Sequence, residues 1–259
     1  MPRLSRWQTQ QRESNIELSE QNGVRALHLG SDMVQSAMRL TAPNDLELFY
    51  TQCMMGFLLF HPHPENILMI GLGGGSLVKF VYHRMPQIKI SVIEISPQVV
   101  EIARSHFLLP LNSERLQVLV AEGGDYIAHH PASTDILMVD GFNGSNQVDT
   151  LCSQDFYNSA CETLNKNGIL VINLLSRDKN RDEHMHRIQN SFDGHVITFL
   201  TEIRGNQIVF AFKRGLGKIA WEELERRAEE LESQLILPFP RFIEGLRKYG
   251  PHSNRYLEI

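Results

Sequence analysis

The sequence predicts an α/β fold with a mainly parallel β-sheet and a small β region in front of it. From residue 66 onwards, short apolar runs alternate with helical stretches, which is the pattern of a parallel sheet covered by helices on both faces. A glycine-rich turn, residues 71–75, joins the first of these strands directly to its helix. The chain has 259 residues, a length that suits one such domain with a small appendage.

The N-terminal region, residues 1–44, is predicted to contain short strands. Apolar residues alternate on both sides of Asn22-Gly23, and Asn-Gly is a strong signal for a two-residue hairpin turn. A further strand is predicted around residues 36–40. Residues 1–14 are polar and are predicted to be loose.

Residues 45–215 are predicted to form one Rossmann-like domain, in which strands and helices alternate. A helix over 45–60, capped by Asn44 or Asp45, is predicted to precede the first strand. Strands are then predicted at 67–70, 88–93, 116–120, 136–139, 169–174, 195–200 and 207–213, the last two as an antiparallel hairpin. Helices are predicted at 77–84, 97–107, 154–164 and 182–192, with a helical turn at 125–129 and with Asn167-Gly168 as the natural end of the third helix.

The remaining residues, 216–259, are predicted to form a C-terminal helix and a tail. Residues 219–235 are charged, with an apolar stripe at helical spacing that we expect to pack on the domain surface. Residues 236–259 are predicted to be irregular.

Composition narrows the classes of function. The formal net charge is -5, so no basic excess points to nucleic acid. The longest apolar stretch, Met54 to Phe60, is too short to span a bilayer, and the N-terminus does not resemble a signal peptide. Cys53, Cys152 and Cys161 form no CxxC pair, so we expect reduced thiols in a cytoplasmic protein. The histidines have no convincing ligand partners, and no metal site is predicted.

The glycine-rich turn predicts a nucleotide site. Gly71, Gly73, Gly74 and Gly75 let the backbone turn sharply and let a ligand approach without an intervening Cβ. The helix that follows presents free N–H groups and the positive end of its dipole. Such a turn is weak evidence for a nucleotide site when taken alone, since turns that bind no ligand can have the same glycine-rich composition.

Acidic residues at the ends of the next strands strengthen this hypothesis. Glu94 ends the second strand and is placed to accept hydrogen bonds from both ribose hydroxyls. Glu122-Gly123 follows the third strand, where a carboxylate can take the adenine amino group, and Asp140 follows the fourth. The third glycine of a dinucleotide motif is replaced by Ser76. The pattern therefore favours S-adenosylmethionine or a related nucleoside, as a co-substrate and not as a prosthetic group. Residues 45–215 are accordingly predicted to be a nucleotide-binding catalytic domain of class I methyltransferase type.

Several motifs in the same order resemble the spermidine/spermine synthase family of aminopropyltransferases. These motifs are GLGGGSL, IEIS, VAEGGDYI and ILMVDGFNG followed by DFY, and the likeness covers roughly residues 24–213. The resemblance implies an N-terminal β-domain before a Rossmann-like domain, and a dimer or tetramer. It implies that Gln35, in a strand with Asp32, touches the amino-acid-derived end of the donor. It also implies that Glu94 holds the ribose, that Glu122 and Gly123 meet the adenine, and that Asp140 takes a proton from the attacking amine.

Three departures from the family pattern fall in the diamine pocket. Ser76 replaces an acidic residue after the glycines, and Asn143 replaces the second aspartate of the catalytic loop. Thr51-Gln52 follows Tyr50 where the family has His-Glu. A dication must lose water on entering, which is costly without a partner carboxylate. These departures predict weaker binding of an ordinary diamine.

Three functions remain open at this point. The first is aminopropyl transfer from decarboxylated S-adenosylmethionine to a small amine, with Asp140 as general base. The second is methyl transfer from S-adenosylmethionine, which Ser76 favours because it removes a negative charge beside the donor carboxylate. The third is a non-catalytic role in nucleotide binding or assembly.

Overall fold

The computed structural model describes residues 5–8, 16–30, 33–143, 146–147, 149–176, 178–200, 205–249 and 252–259. Its strands are β1 (Ser5–Gln8), β2 (Ile16–Gln21), β3 (Val24–Leu29), β4 (Ser36–Arg39), β5 (Asn66–Ile70), β6 (Lys89–Glu94), β7 (Leu116–Val120), β8 (Thr134–Val139), β9 (Phe142–Asn143), β10 (Asn146–Gln147), β11 (Leu164–Leu175), β12 (Val196–Leu200), β13 (Asn206–Phe212), β14 (Lys218–Ala220) and β15 (Tyr256–Glu258). Its helices are α1 (Phe49–Met54), α2 (Ser76–Arg84), α3 (Pro97–His106), α4 (Gly123–Ala128), α5 (Gln154–Thr163), α6 (Arg181–Ser191), α7 (Trp221–Leu235) and α8 (Phe239–Tyr249), with 3-10 turns at Met55–Leu59 and Asp149–Leu151.

The N-terminal strands form an antiparallel sheet in the order β1-β2-β3-β4. The β2–β3 turn has positive φ at both Asn22 (52°) and Gly23 (73°), as a type I′ turn requires. The prediction that residues 1–14 are loose is wrong for Ser5–Gln8, which pairs with β2. A polar segment of four residues is too short to show the alternation of a strand, so the strand is recognised only from its pairing with β2.

The main sheet has seven strands in the order β12-β13-β11-β8-β5-β6-β7. The four pairings among β11, β8, β5, β6 and β7 are parallel. Strand β13 runs antiparallel to both β11 and β12, which confirms the predicted final hairpin. The mainly parallel α/β fold is thereby confirmed. It brings the carboxyl ends of five neighbouring strands to one edge of the sheet.

Helices cover both faces of this sheet. One face packs against α1, α2, α3, α7 and α8, and the inward side chains of the N-terminal sheet join the same core. The other face packs against α4, α5 and α6. Strands buried on both faces read as continuous apolar runs, which is the pattern that the sequence shows.

The prediction of an irregular C-terminal tail is wrong. Residues Phe239–Tyr249 form α8, and Tyr256–Glu258 pairs with β14. Phe239, Phe242 and Leu246 are fully buried on one side of α8. Pro238, Pro240 and Gly245 obscure the helix in the sequence, although proline is tolerated in a first turn.

Two predicted helix ends also differ from the structure. Helix α1 begins at Phe49, its N-cap is Leu48, and the Asp45 carboxylate accepts a hydrogen bond from Arg84 instead of capping the helix. Helix α5 ends at Thr163 because Leu164 is extended and already pairs with Thr134 of β8. Asn167-Gly168 therefore lies inside β11 and not at a helix end.

Within the described ranges, none of the helices is both long enough and apolar enough to cross a membrane.

Candidate active site

A cavity lies at the carboxyl ends of the parallel strands, which is where open α/β sheets bind ligands. Its lining comes from Leu29, Gln35, Ser36, Tyr50, Thr51, Met69, Ile70, Gly71, Leu72, Gly73, Ser76, Leu77, Val78, Ile93, Glu94, Ile95, Glu122, Gly123, Met138, Asp140, Gly141 and Leu151. The structure thus brings most of the sequence-predicted site residues together. Gly74 and Gly75 lie outside this lining, as does the backbone of Asn143 in β9, whose side chain is outside the described part of the chain.

The turn after β5 requires glycine at two positions. Gly71 has φ +93°, and a Cβ there would lie 2.4 Å from the backbone oxygen of Asp140. Gly75 has φ +70° and is the N-cap of α2. The turn therefore runs close under the end of β8 before α2 begins.

Strand β4 of the N-terminal sheet lies against this turn. The Ser76 hydroxyl donates to the Ala37 carbonyl at 3.2 Å, and its oxygen lies 3.2 Å from the Ser36 hydroxyl. A Cβ on Gly74 would come within 2.9 Å of the same Ser36 hydroxyl. Ser76, which replaces an acidic residue of the family, thus also connects the glycine turn to the N-terminal sheet.

Glu94 is buried at the end of β6, and its carboxylate accepts hydrogen bonds from the turn after β5 and from the turn after β6. Its Oε2 accepts the Leu72 N–H at 2.9 Å, and its Oε1 accepts the Ser96 N–H at 2.8 Å. Burial raises the pKa of this carboxyl, and the backbone donors act in the opposite direction. A carboxylate has about four lone-pair sites. The N–H groups of Leu72, Ile95 and Ser96 occupy three of them, so one remains for a hydroxyl from the cavity side.

Glu122 is the N-cap of α4, so this helix begins at Gly123 and not at the predicted Asp125. The Glu122 carboxylate accepts the Asp125 N–H at 2.7 Å and the Thr150 hydroxyl at 3.3 Å. A Cβ on Gly123 would lie 2.5 Å from Ile70, so the helix start packs closely on β5. The carboxylate predicted to meet adenine therefore has a structural role as a cap as well.

Asp140 follows β8 at the centre of the sheet edge. Its Oδ2 accepts the Tyr50 hydroxyl at 3.0 Å, and its Oδ1 accepts an amide N–H of Asn173 at 2.8 Å. Burial raises the pKa of the Asp140 carboxyl, and the hydrogen bonds from Asn173 and Tyr50 lower it. Burial, followed by the nearby Asp140 charge, raises the pKa of Tyr50 well above its usual value. Tyr50 is therefore a neutral donor and Asp140 is the acceptor.

Gln35, predicted to contact the donor's amino-acid end, and Thr51, predicted to lie in the acceptor pocket, both lie next to Tyr50. Gln35 stands immediately before β4 and not within a strand, its N–H donates to the Leu27 carbonyl, and its own carbonyl lies 3.2 Å from the Tyr50 hydroxyl. The Thr51 hydroxyl donates to the Leu48 carbonyl in the first turn of α1. Asp32 lies outside the described residues.

Sequence reasoning missed two amides behind Asp140. Asn173 lies near the end of β11, and its Oδ1 accepts an amide N–H of Asn206, the first residue of β13, at 2.9 Å. One signal was available, because Asn173 interrupts the apolar run ILVINLL of a buried strand. An amide in such a run needs hydrogen-bond partners, which indicates a polar neighbour.

The described ranges contain no group of three or more His, Cys, Asp or Glu side chains that could hold a metal ion. The polar residues of the cavity lie instead along neighbouring strand ends. This fold, with this row of strand-end residues, places the chain in the class of Rossmann-like α/β proteins that bind a ligand above the sheet edge.

Comparison with known proteins identifies the family. The spermine/spermidine synthase domain matches residues 47–199. A polyamine aminopropyltransferase of Chromobacterium violaceum is 38% identical over 244 residues, covering 94% of this chain and 94% of that protein. The chain belongs to the spermine/spermidine synthase family, whose aminopropyltransferases are transferases of a group other than methyl.

Solved structures share the fold. A spermidine synthase in complex with the transition-state analogue AdoDATO has a TM-score of 0.67 at 19% identity, covering 80% of this chain and 73% of that one. Human methyltransferase-like protein 13 in complex with SAH has a TM-score of 0.65 at 27% identity, covering 73% of this chain and 93% of that one. Transferases of two kinds are therefore built on this architecture.

Proposed function

We propose that this protein transfers an aminopropyl group from decarboxylated S-adenosylmethionine to a small amine, with Asp140 as the general base. The observation that carries the proposal is the position of Asp140. Its carboxylate lines the cavity between the glycine turn and Tyr50, at the sheet edge that also holds Glu94 and Glu122. Family membership supports the choice of donor.

The nucleoside would lie along the strand ends. Glu94 would accept the ribose hydroxyls, and Glu122 with Gly123 would border the adenine. The aminopropyl end would then extend past Gly71 and Gly73 towards Gln35 and Tyr50. This orientation places the carbon that reacts next to Asp140.

The chemistry is a displacement at carbon. The amine nitrogen forms a bond to the methylene next to the sulfonium, the carbon–sulfur bond breaks, and its electron pair stays on sulfur. The products are a longer amine and methylthioadenosine, and the proton lost by the amine passes to Asp140. Alignment of amine and methylene in one cavity supplies much of the rate.

The acceptor differs from an ordinary diamine in this proposal. Among the described lining residues the carboxylates are Glu94, Glu122 and Asp140, and the first two already accept backbone N–H groups. The reacting amine would use Asp140. Among the described lining residues, a second ammonium would find no further carboxylate, and a missing charged hydrogen bond costs about 1.5–3 kcal/mol. We therefore expect monoamines, or amines with a distant second charge, to compete well with short diamines.

Mass spectrometry of methylthioadenosine tests this proposal. The protein is incubated with decarboxylated S-adenosylmethionine and a panel of monoamines, diamines and longer polyamines. We expect amine-dependent release of methylthioadenosine, and a loss of at least about a hundredfold in Asp140→Asn, since general bases contribute roughly 10²–10⁴. Release that is equal in this variant would exclude Asp140 as the base. Absence of release with every amine, while calorimetry still detects nucleoside binding, would exclude aminopropyl transfer to this panel.

Methyl transfer is the second candidate. Ser76 favours it, because a hydroxyl next to the glycine turn does not repel the donor carboxylate, and human methyltransferase-like protein 13 shares the fold. The same assay with S-adenosylmethionine distinguishes the two reactions by its product, which would be S-adenosylhomocysteine. Nucleoside binding without either product would identify a non-catalytic role.

A further inference from the structure

Asn173 is an amide in a place where the fold would otherwise be apolar. Its side chain is 1% exposed, on a strand whose neighbours Ile172 and Leu174 are fully buried. Burying an amide costs free energy unless each polar atom has a partner. The partners here are specific, because Nδ2 donates to Asp140 and Oδ1 accepts from Asn206.

The register of the sheet creates this contact. Strand β11 runs parallel to β8, with Ile172 opposite Val139. The residues that follow these two in the chain, Asn173 and Asp140, therefore lie side by side. Strand β13 runs antiparallel on the other side, with Asn206 opposite Leu175. The chain Asn206–Asn173–Asp140 thus crosses three neighbouring strands by 2.9 Å and 2.8 Å hydrogen bonds.

The direction of this chain matters because an amide has two different ends. If Asn173 were turned by 180°, its oxygen would face the carboxylate oxygen of Asp140 and repel it. Asn206 donates an N–H to the Asn173 oxygen and so opposes this turn. The donor end of Asn173 therefore points at Asp140.

The Asn173 amide matters because the groups that contact the Asp140 carboxylate are neutral hydrogen-bond donors among the described residues. Among the described residues, Tyr50 on α1 is the titratable side chain that contacts the carboxylate, and Glu94 and Glu122 border the same cavity. Burial raises the pKa of the Asp140 carboxyl, the hydrogen bonds from Asn173 and Tyr50 lower it, and no cation contributes among the described residues. Two neutral donors therefore oppose the effect of burial on this carboxylate.

We propose that Asn173 is a positioning residue that fixes the rotamer of Asp140 by donating a hydrogen bond to its carboxylate, and that Asn206 fixes the orientation of the Asn173 amide. The proposal rests on the proposed function, in which Asp140 accepts the proton of the attacking amine. Asn173 acts through Asp140 and is not assigned a contact with substrate.

The direct test is the titration of Asp140 in the free protein. Aspartate is labelled with ¹³C at the side-chain carboxyl, and the Asp140 resonance is assigned by its loss in Asp140→Asn. We expect the Asp140 pKa to rise in Asn173→Leu, which keeps the shape and removes the donor. Gln207→Leu is the matched control, because Gln207 is a buried amide on the neighbouring strand β13, opposite Leu174, and is not among the hydrogen-bond donors of Asp140. This control should leave the Asp140 pKa unchanged.

Kinetics give the second measurement. In Asn173→Leu, kcat at pH 7 should fall about tenfold to a hundredfold, since one charge-assisted hydrogen bond is lost. The loss should shrink as the pH is raised, because Asp140 ionises again, and the KM for the nucleoside should stay unchanged. A merely structural role would lower activity equally at every pH.

The outcomes separate this proposal from the proposed function. A raised Asp140 pKa without any turnover in the wild-type protein would retain the positioning role and reject the reaction. An unchanged Asp140 pKa in folded Asn173→Leu would overturn the positioning role. If that variant fails to fold, Asn206→Ala, at a half-buried position, is measured instead, and an unchanged Asp140 pKa there would overturn the proposal.

Discussion

At the scale of single residues, the site is a buried carboxylate held by neutral donors. Asp140 receives hydrogen bonds from Tyr50 and Asn173 and from no cation among the described residues. Its burial raises its pKa, which means that the fold destabilises the ionised form. Such a carboxylate is a stronger base than an exposed one, and it costs stability.

Removing the charge of Asp140 should therefore stabilise the protein. The folded pKa lies above the unfolded one, so this residue lowers stability as the pH rises through that interval, and the penalty remains at higher pH. Asp140→Asn keeps the shape and should gain on the order of 1 kcal/mol at pH 7, a size typical of stabilising single substitutions.

Urea unfolding of both proteins at pH 7 and at pH 4 measures this effect. The advantage of Asp140→Asn should be larger at pH 7 than at pH 4, where less of the unfolded-state aspartate is ionised. An equal or negative difference at pH 7 would show that burial of this charge does not strain the fold.

At the scale of elements, the turn between β5 and α2 is determined by steric contact. The Gly71 Cα faces the backbone of Asp140, which cannot move aside as a side chain could. The neighbouring glycines face side chains, Phe107 for Gly74 and Leu109 for Gly75. Three glycines of one turn therefore differ in their surroundings, because Gly71 faces backbone atoms and Gly74 and Gly75 face side chains.

Gly71→Ala should disturb the site more than a substitution at a glycine that has positive φ but open space around it. Its φ of +93° and a Cβ 2.4 Å from the Asp140 oxygen both oppose the substitution. Gly23→Ala is the matched control, because Gly23 has φ +73° and open space around its Cβ position. The control should lose about 1–2 kcal/mol, the cost of a left-handed non-glycine residue.

Calorimetry with methylthioadenosine and chemical unfolding compare the two variants. Gly71→Ala should lose more stability than the control and should bind the nucleoside about tenfold or more weakly, since the turn must shift. Gly23→Ala should bind like the wild-type protein. Equal binding by both variants would mean that the turn after β5 does not border the nucleoside.

At the scale of the whole molecule, the N-terminal sheet is joined to the main α/β domain by a buried lysine. Lys79 of α2 is 1% exposed, and its ammonium donates to the Pro43 carbonyl at 2.8 Å and lies 3.0 Å from the Met38 sulfur. No carboxylate is among these partners. Burial lowers the pKa of Lys79 to about 8.

This lysine should make stability depend on pH in the alkaline range. Below pH 8 both the folded and the unfolded states bind the proton, so the penalty of burial is constant. Between pH 8 and 10.5 the unfolded state alone binds it, so the contribution of Lys79 to stability rises with pH. The rise is on the order of 1.4 kcal/mol per pH unit.

Lys79→Met removes the charge and keeps the length of the side chain. We expect it to be as stable as the wild-type protein at pH 7, or more so, since an apolar side chain replaces a poorly paired charge. The wild-type-minus-variant difference in unfolding free energy, measured from pH 7 to 10, should rise. Lys89→Met, at an exposed lysine, is the control and should show no such rise. A constant difference for Lys79→Met would contradict the assignment.

The sequence by itself determined the α/β class, the order of most strands and helices, and the glycine turn with its acidic strand ends. These features are local, because strand and helix periodicity and turn residues depend on neighbours in the chain. It did not reveal α8, where prolines and a glycine obscure an apolar face that is defined only by the core it enters. It also did not reveal β1, which exists through pairing with β2.

Only the tertiary structure decided how the site residues are connected. The sheet order places β11 beside β8, which brings Asn173 to Asp140, and antiparallel β13 adds Asn206. In the folded chain the carboxylates of Glu94 and Glu122 accept backbone N–H groups, and the Ser76 hydroxyl donates to a carbonyl of β4. These contacts link residues far apart in the chain. They depend on strand order and register, and pairwise spacing in the sequence carries no information on either.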